Sequence, residues 1–170
     1  MTIDICLCKT LPEDWLTQWS AATYSEEHLT PETPGSLQNN LLISAVAISD
    51  GIPVGFGGLI AARTNQGHGL VIDGKPVVEL GGAYIKPAFR GTGIWKLLAF
   101  KRIQFAVQNK LKVVCITGNP IVQSGLKEIG SMPMDHVRDR QMLEALCLKC
   151  KTEDECGYCP LQPQTSWLVV

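Results

Sequence analysis

The chain has 170 residues, a formal net charge of −1, 45% apolar and 18% charged residues, which describes an ordinary soluble globular protein of one domain with room for a real core. The charge is uneven: residues 1–60 hold seven acids (Asp4, Glu13, Asp14, Glu26, Glu27, Glu32, Asp50) against the single base Lys9, and the remainder carries 14 bases and 9 acids. That argues against nucleic acid tracking along the N-terminal part, and fits either two solvated surfaces or an acidic part that draws a cation beside a basic part that meets phosphates.

Thr2 to Cys8 alternates loosely and predicts a first strand, with Cys6 and Cys8 packing on one face. Thr10-Leu-Pro-Glu13 has capping-box spacing and opens a helix toward Glu27, with Trp15, Leu16, Trp19 and Ala22 as its buried face. Thr30 to Asn40 reads as a loop or a broken second helix. Leu41 to Ala62 is long and apolar enough to suggest a membrane span, but Asp50, Gly51 and Pro53 cut it, so Leu41–Ser49 and Val54–Arg63 are expected as an antiparallel pair. Thr64 to Gly74 is a polar hairpin connection, and Val77 to Lys86 a central strand, apolar on both faces apart from Glu79. Gly93 to Gln108 predicts a helix buried through Ile94, Leu97, Leu98, Ile103 and Ala106. A buried strand over Leu111–Thr117, a short helix over Ile121–Ile129 ended by Gly130, a helix over Asp135–Leu148 and a last strand over Ser166–Val170 complete an α/β layered domain.

The stretch from Val77 to Trp95 is the most informative. A strand feeds a glycine-rich turn, Arg90-Gly-Thr-Gly93, that opens a helix, and the free amides of a helix N-terminus hold phosphate oxygens. Gly91 and Gly93 remove side chains from their path, and Arg90 adds a charge-assisted bond. This segment resembles the acyl-CoA-binding motif of the GNAT superfamily of N-acetyltransferases, where a Pro-x-x-Arg-Gly-x-Gly pattern cradles the CoA pyrophosphate. The resemblance covers about residues 40–130. It implies a mixed α/β fold with a largely antiparallel central sheet flanked by helices, and a single domain over residues 1–170.

It also implies roles. Arg90, Gly91, Thr92, Gly93, Ile94 and Trp95 would hold the pyrophosphate, although the family places a small residue where Trp95 stands. Ala83, Tyr84 and Ile85 would align with the pantetheine arm. Glu79, eleven residues before Arg90, matches a glutamate that serves as general base in many members; a strand carboxylate paired with a base is the alternative. Asn119 matches an asparagine that contacts the cofactor. The tyrosine that protonates the departing thiolate is replaced by Leu126, which leaves Tyr84, Cys115 or water for that task, or a thiolate that departs unassisted.

Two Cys-x-x-Cys pairs, Cys147/Cys150 and Cys156/Cys159, offer four soft ligands to tetrahedral zinc, a structural clip appended to the domain; another metal, an iron–sulfur centre or unligated thiols are the alternatives. The odd total of seven cysteines, with no basic, apolar leader at Met1-Thr-Ile-Asp, points to a reducing, cytoplasmic compartment. His28, His68 and His136 are scattered and read as surface or loop residues. The leading expectation is an acetyl-CoA-dependent N-acetyltransferase acting by direct attack in a ternary complex on an amine, small and cationic or an exposed amino group. A non-catalytic CoA-binding regulatory domain and a zinc-stabilised adaptor for nucleic acid or protein are the rivals. Glu153, Asp154 and Glu155 oppose nucleic acid, and monomer or homodimer stays open.

Overall fold

The structure, a computed structural model, describes residues 2–26, 29, 31–62, 69–135, 138–140, 142–143 and 166–169. In chain order the elements are β1 (Asp4–Cys8), α1 (Glu13–Ser25), α2 (Pro34–Asn40), β2 (Leu41–Ser49), β3 (Ile52–Ala61), β4 (Val71–Ile72), β5 (Lys75–Ile85), a 3₁₀ turn (Pro87–Phe89), α3 (Ile94–Gln108), β6 (Lys112–Ile116), α4 (Pro120–Glu128), β7 (Met132–Pro133) and β8 (Ser166–Leu168). The strands run in the order β1-β2-β3-β5-β6-β8-β7, with β4 paired to β5. β1–β2, β2–β3, β4–β5, β6–β8 and β7–β8 are antiparallel, whereas β5 and β6 are parallel over Val77–Glu79 and Lys112–Val114. A parallel pair needs a crossover, and α3 supplies it. The mixed α/β class with a mostly antiparallel sheet flanked by helices is as the sequence predicts. Among the described residues no helix is long and apolar enough to cross a membrane; the Leu41–Ala62 run folds back on itself as β2 and β3 instead.

The chain forms two compact units, Met1–Ile60 with Leu80–Phe105, and Ala61–Glu79 with Ala106–Val170. In the first, the turn between β2 and β3 is Asp50-Gly51, with φ of 50° and 79°. Two left-handed residues in a two-residue loop match the right-handed twist of the strands, so the hairpin register starts at Ser49↔Ile52. Pro53 is inside β3, where its missing N–H is absorbed by a register shift between Ala47↔Gly55 and Ile48↔Pro53.

Both faces of β2 and β3 are covered, which is why both strands read as apolar runs. On one face Val46 and Phe56 pack with Leu11, Leu16, Trp19 and Leu37, and the Trp19 and Phe56 rings stack with centroids 5.5 Å apart. On the other face Ala45, Ala47 and Val54 pack with Ile94 and Leu98 of α3. Cys6 and Cys8 lie against the first cluster, as expected, with their Sγ atoms 3.5 Å apart. Burial, with Cys8 beside it, pushes the Cys6 thiol up to about 11.

Two local expectations are corrected, and one left between two alternatives is settled. The capping box at Thr10 does not form: Pro12 is the N-cap of α1, and its carbonyl accepts from Trp15 and Leu16 N–H. The Thr30–Asn40 segment contains the helix α2, because Thr33 accepts from Ser36 N–H and Pro34 is pre-set for the first turn. Leu97 is 46% exposed; the buried face of α3 is Ile94, Leu98, Ala99, Arg102 and Ala106.

Arg102 is the exception on that face. Only 1% exposed, it donates from Nη1 to the carbonyls of Gly58 (2.8 Å) and Gly81 (3.1 Å) and from Nε to Leu98 O. Its guanidinium lies so close to β3 that a Cβ at Gly57 would sit 2.7 Å from Arg102 Cζ. The facing strand explains why carbonyls are available here. Lys86 N–H donates to Val54 O and Ala62 N–H donates to Val77 O, so β3 and β5 are antiparallel, and β5 carries one residue more than β3 between those bonds. Gly82, with φ of 57° inside a strand, is that extra residue.

In the second unit Ala62, Leu70, Val77, Val114, Met134, Met142 and Leu143 form one cluster, with Ile72, Ile116 and Leu168 against it. β4 and β5 meet at Asp73-Gly74, with φ of 52° and 72°; the sequence pattern was too short there to reveal a strand, as it was at β7. Asp139 accepts from Asp135 N–H and from Arg138, whose guanidinium holds its carboxyl below the usual range. The bonds Asp139 N–H to Asp135 O and Leu143 N–H to Asp139 O have helical spacing; the rest of the helix expected over Asp135–Leu148 lies outside the described residues.

Gly57→Ala is expected to cost about 1–3 kcal/mol of stability through overpacking against the guanidinium, read as a lower urea midpoint with an unchanged slope. In an Arg102→Met background the same substitution should cost less. Wild-type stability for Gly57→Ala would mean that the close approach is absent.

Candidate functional site

The segment that leaves β5 is shaped by its own backbone bonds. Phe89 N–H donates to Lys86 O, Arg90 N–H to Pro87 O, and Thr92 Oγ1 to Phe89 O at 2.6 Å. Gly91 and Gly93 have φ of 75° and 83°. A Cβ built at either would meet no atom of the described residues within 4 Å beyond its chain neighbours, so packing among them does not demand glycine at these positions; the left-handed backbone does. The space beside the turn is thus open to a ligand.

α3 starts from this turn. Gly93 O accepts from Lys96 and Leu97 N–H, so the amides that precede them are the ones a helix start leaves without intrahelical partners. No acidic side chain stands in the first turn of α3, and the positive end of the helix is not neutralised locally. Ile94 is buried and anchors the helix, Trp95 is half-buried, and Thr92 and Gly93 are exposed. The arrangement is suited to a polyanion of phosphate type.

Arg90 stands at the mouth of the turn with its side chain 48% exposed. Its Nε donates to Ile85 O at 3.0 Å, and its Nη2 pairs with Glu26 Oε1 at 2.5 Å. Glu26 is the C-cap of α1, 64 positions away in sequence. Sequence reasoning missed this partner, since no local spacing connects the two residues. The upstream strand end alternates: Tyr84 packs on the α1 side with the Trp19 cluster, and Ile85 packs on the α3 side with Ile94 and Leu98. Ala83 is half-buried between Gly82 and Tyr84. The first unit therefore brings together Ala83, Tyr84, Ile85, Arg90, Gly91, Thr92, Gly93, Ile94 and Trp95.

Glu79, Cys115, Asn119 and Leu126 belong to the second unit. Glu79 is half-buried on β5 at the register position opposite Val114. Asn119 is the N-cap of α4: its Oδ1 accepts from Ile121 N–H at 2.9 Å, and its own N–H donates to Thr117 Oγ1. Leu126 is fully buried, and Cys115 is 3% exposed. Cys147, Cys150, Cys156 and Cys159, together with His28, His68 and His136, lie outside the described residues. Among the described residues no group of three or more His, Cys, Asp or Glu is placed to hold a metal ion.

A family model described as Acetyltransferase (GNAT) family matches residues 7–123. No curated protein matches the sequence. Among solved structures, Rv2747 from Mycobacterium tuberculosis, in complex with CoA and NLQ, is 16% identical, with a TM-score of 0.65 over 97% of this chain and 99% of that one. N-acetylglutamate synthase from Neisseria gonorrhoeae, complexed with CoA and N-acetyl-glutamate, is 12% identical, with a TM-score of 0.60 over 79% of this chain and 30% of that longer one. The ribosomal-protein-S18-alanine N-acetyltransferase from Escherichia coli is 13% identical, with a TM-score of 0.55 over 79% and 80% of the two chains. These likenesses are of fold.

Proposed function

The chain belongs to the acetyltransferase (GNAT) family, and we propose that it transfers the acetyl group of acetyl-CoA to an amine by direct attack within a ternary complex. The observation that carries this reading is the open, left-handed Gly91–Gly93 turn at the start of α3, with Arg90 at its mouth. The pyrophosphate would lie on the amides of Gly91, Thr92, Gly93, Ile94 and Trp95, with the Arg90 guanidinium as its charged partner. The pantetheine arm would run beside Ala83, Tyr84 and Ile85, adding its amides to the backbone as a strand would. Asn119 spends Oδ1 on its cap, so Nδ2 is the atom it would offer the cofactor.

Transfer needs a free amine lone pair. A protonated amine of pKa near 10.4 has almost none at pH 7, so a base must take its proton before the C–N bond can form and the C–S bond break. Glu79 is the group we assign to that role, directly or through a water. The thiolate then needs a proton or a good solvent environment. Leu126 has no proton to give, and Tyr84 is the phenol we assign to the donation.

The acceptor is an amine of the small or exposed kind. The named relatives include an enzyme solved with N-acetyl-glutamate and one whose name gives the alanine of ribosomal protein S18. The acidic excess of residues 1–60 favours a cationic acceptor here. We further assign Cys147, Cys150, Cys156 and Cys159 to a closed, four-thiolate structural zinc site in an appendage of one domain spanning residues 1–170, working in the reducing cytoplasm.

Glu79→Gln should lower kcat by about 10²–10⁴-fold while leaving the acetyl-CoA Kd within a factor of two. The deficit should shrink as pH rises toward the amine pKa, because the acceptor then sheds its own proton. Thiol release measured across an amine panel between pH 6 and 10 checks both; an unchanged kcat would remove Glu79 from the mechanism. For the cysteines, elemental analysis of the purified chain should give one zinc per molecule, lost in Cys150→Ser. A metal-free, folded chain would refute that assignment.

A further inference from the structure

We propose that Glu26 stands in for phosphate at Arg90 in the unliganded protein and has to be displaced when acetyl-CoA binds. The inference rests on reading the Arg90 turn as the pyrophosphate site. Arg90 is held in place from three sides. Its N–H donates to Pro87 O, its Nε to Ile85 O, and its Nη2 meets Glu26 Oε1 at 2.5 Å. With Nε committed to the main chain, the two Nη groups are left to greet an anion, and Glu26 takes one of them.

Glu26 is equally fixed at its base. Its N–H donates to Ala22 O and its carbonyl accepts from Leu29 N–H, both at 3.1 Å, and its backbone is extended where α1 stops. The carboxylate is thus presented to Arg90 by a pinned backbone, not by a free-swinging chain end. A carboxylate oxygen and a phosphate oxygen ask the same thing of a guanidinium: a short, charge-assisted N–H bond. Both draw on the same guanidinium, and two anions held side by side there repel. The Arg90 and Glu26 side chains are 48% and 32% exposed, so water weakens their pair and a doubly charged pyrophosphate can replace the carboxylate.

The sign of the effect separates a competitor from a structural support. A carboxylate that competes raises the Kd for acetyl-CoA, and its removal tightens binding. A carboxylate that merely holds Arg90 in position would, when removed, weaken binding. The competition also belongs to the pyrophosphate alone and should be invisible to S-acetylpantetheine, which lacks it.

The test is calorimetry of acetyl-CoA and of S-acetylpantetheine with wild type, Glu26→Gln, Arg90→Gln and the double variant. Glu26→Gln should bind acetyl-CoA roughly two- to fivefold more tightly. Its affinity for S-acetylpantetheine should be unchanged, and the gain should vanish in the Arg90→Gln background. Glu26→Asp, one methylene shorter, should shift affinity in the same direction and serves if Glu26→Gln fails to fold. Equal or weaker acetyl-CoA binding by both Glu26 variants, with Arg90→Gln still weakening wild type at least tenfold, would overturn the proposal and leave the pyrophosphate site standing. Wild-type affinity in Arg90→Gln would instead overturn the reading of the turn, and this inference with it.

Discussion

One surplus residue in β5 lies beside the carbonyls that fix Arg102 of α3 in the sheet. Between two hydrogen bonds shared by β3 and β5, β5 runs one residue longer, and Gly82 takes up the excess with a left-handed backbone. The carbonyls of Gly58 and Gly81 beside it are taken by Arg102, which α3 carries into the apolar layer. Burying a guanidinium is costly unless its donors are satisfied, and the close approach is feasible because β3 has glycine at position 57. The same helix begins, two turns earlier, at the Gly91–Gly93 turn. The device that accommodates an irregular strand and the device that would hold a cofactor are thus built on a single element, α3.

The electrostatics of the turn follow from what is left out as much as from what is present. Two glycines with open space beside them, no acid in the first turn of α3 and one partly exposed arginine make a local positive focus. Such a focus does not stay empty-handed in water. Glu26, placed by the end of α1, supplies the nearest carboxylate, which links the acidic N-terminal part of the chain to the basic turn. The charge asymmetry seen in composition therefore has at least one specific contact behind it.

Much of this was legible in the sequence where the signal is local. Asp50-Gly51 between apolar runs dictated a hairpin, the order of residues around Arg90 dictated a strand, a glycine turn and a helix, and Gly130 ended α4 with φ of 82°. Where the deciding partner is distant, sequence periodicity failed. Apolarity puts Leu97 with the buried residues of α3, yet the buried face passes through Arg102, a residue that hydrophobicity alone sends to solvent. The Thr10 capping box lost to Pro12, whose fixed φ ends the preceding segment at the helix start. β4 and β7, each of two residues, are shorter than any alternation can announce. The Arg90–Glu26 pair joins residues with no common local pattern.

The central claim is that the backbone amides from Gly91 to Trp95 receive the cofactor's phosphates. Amide hydrogen exchange, read residue by residue with and without saturating acetyl-CoA, tests it most directly. Exchange at Gly91, Thr92, Gly93, Ile94 and Trp95 should slow on binding, since these N–H groups would pass from water to phosphate oxygens. Acetyl-CoA binding that protects other regions and leaves these five amides exchanging at their free rates would contradict the account.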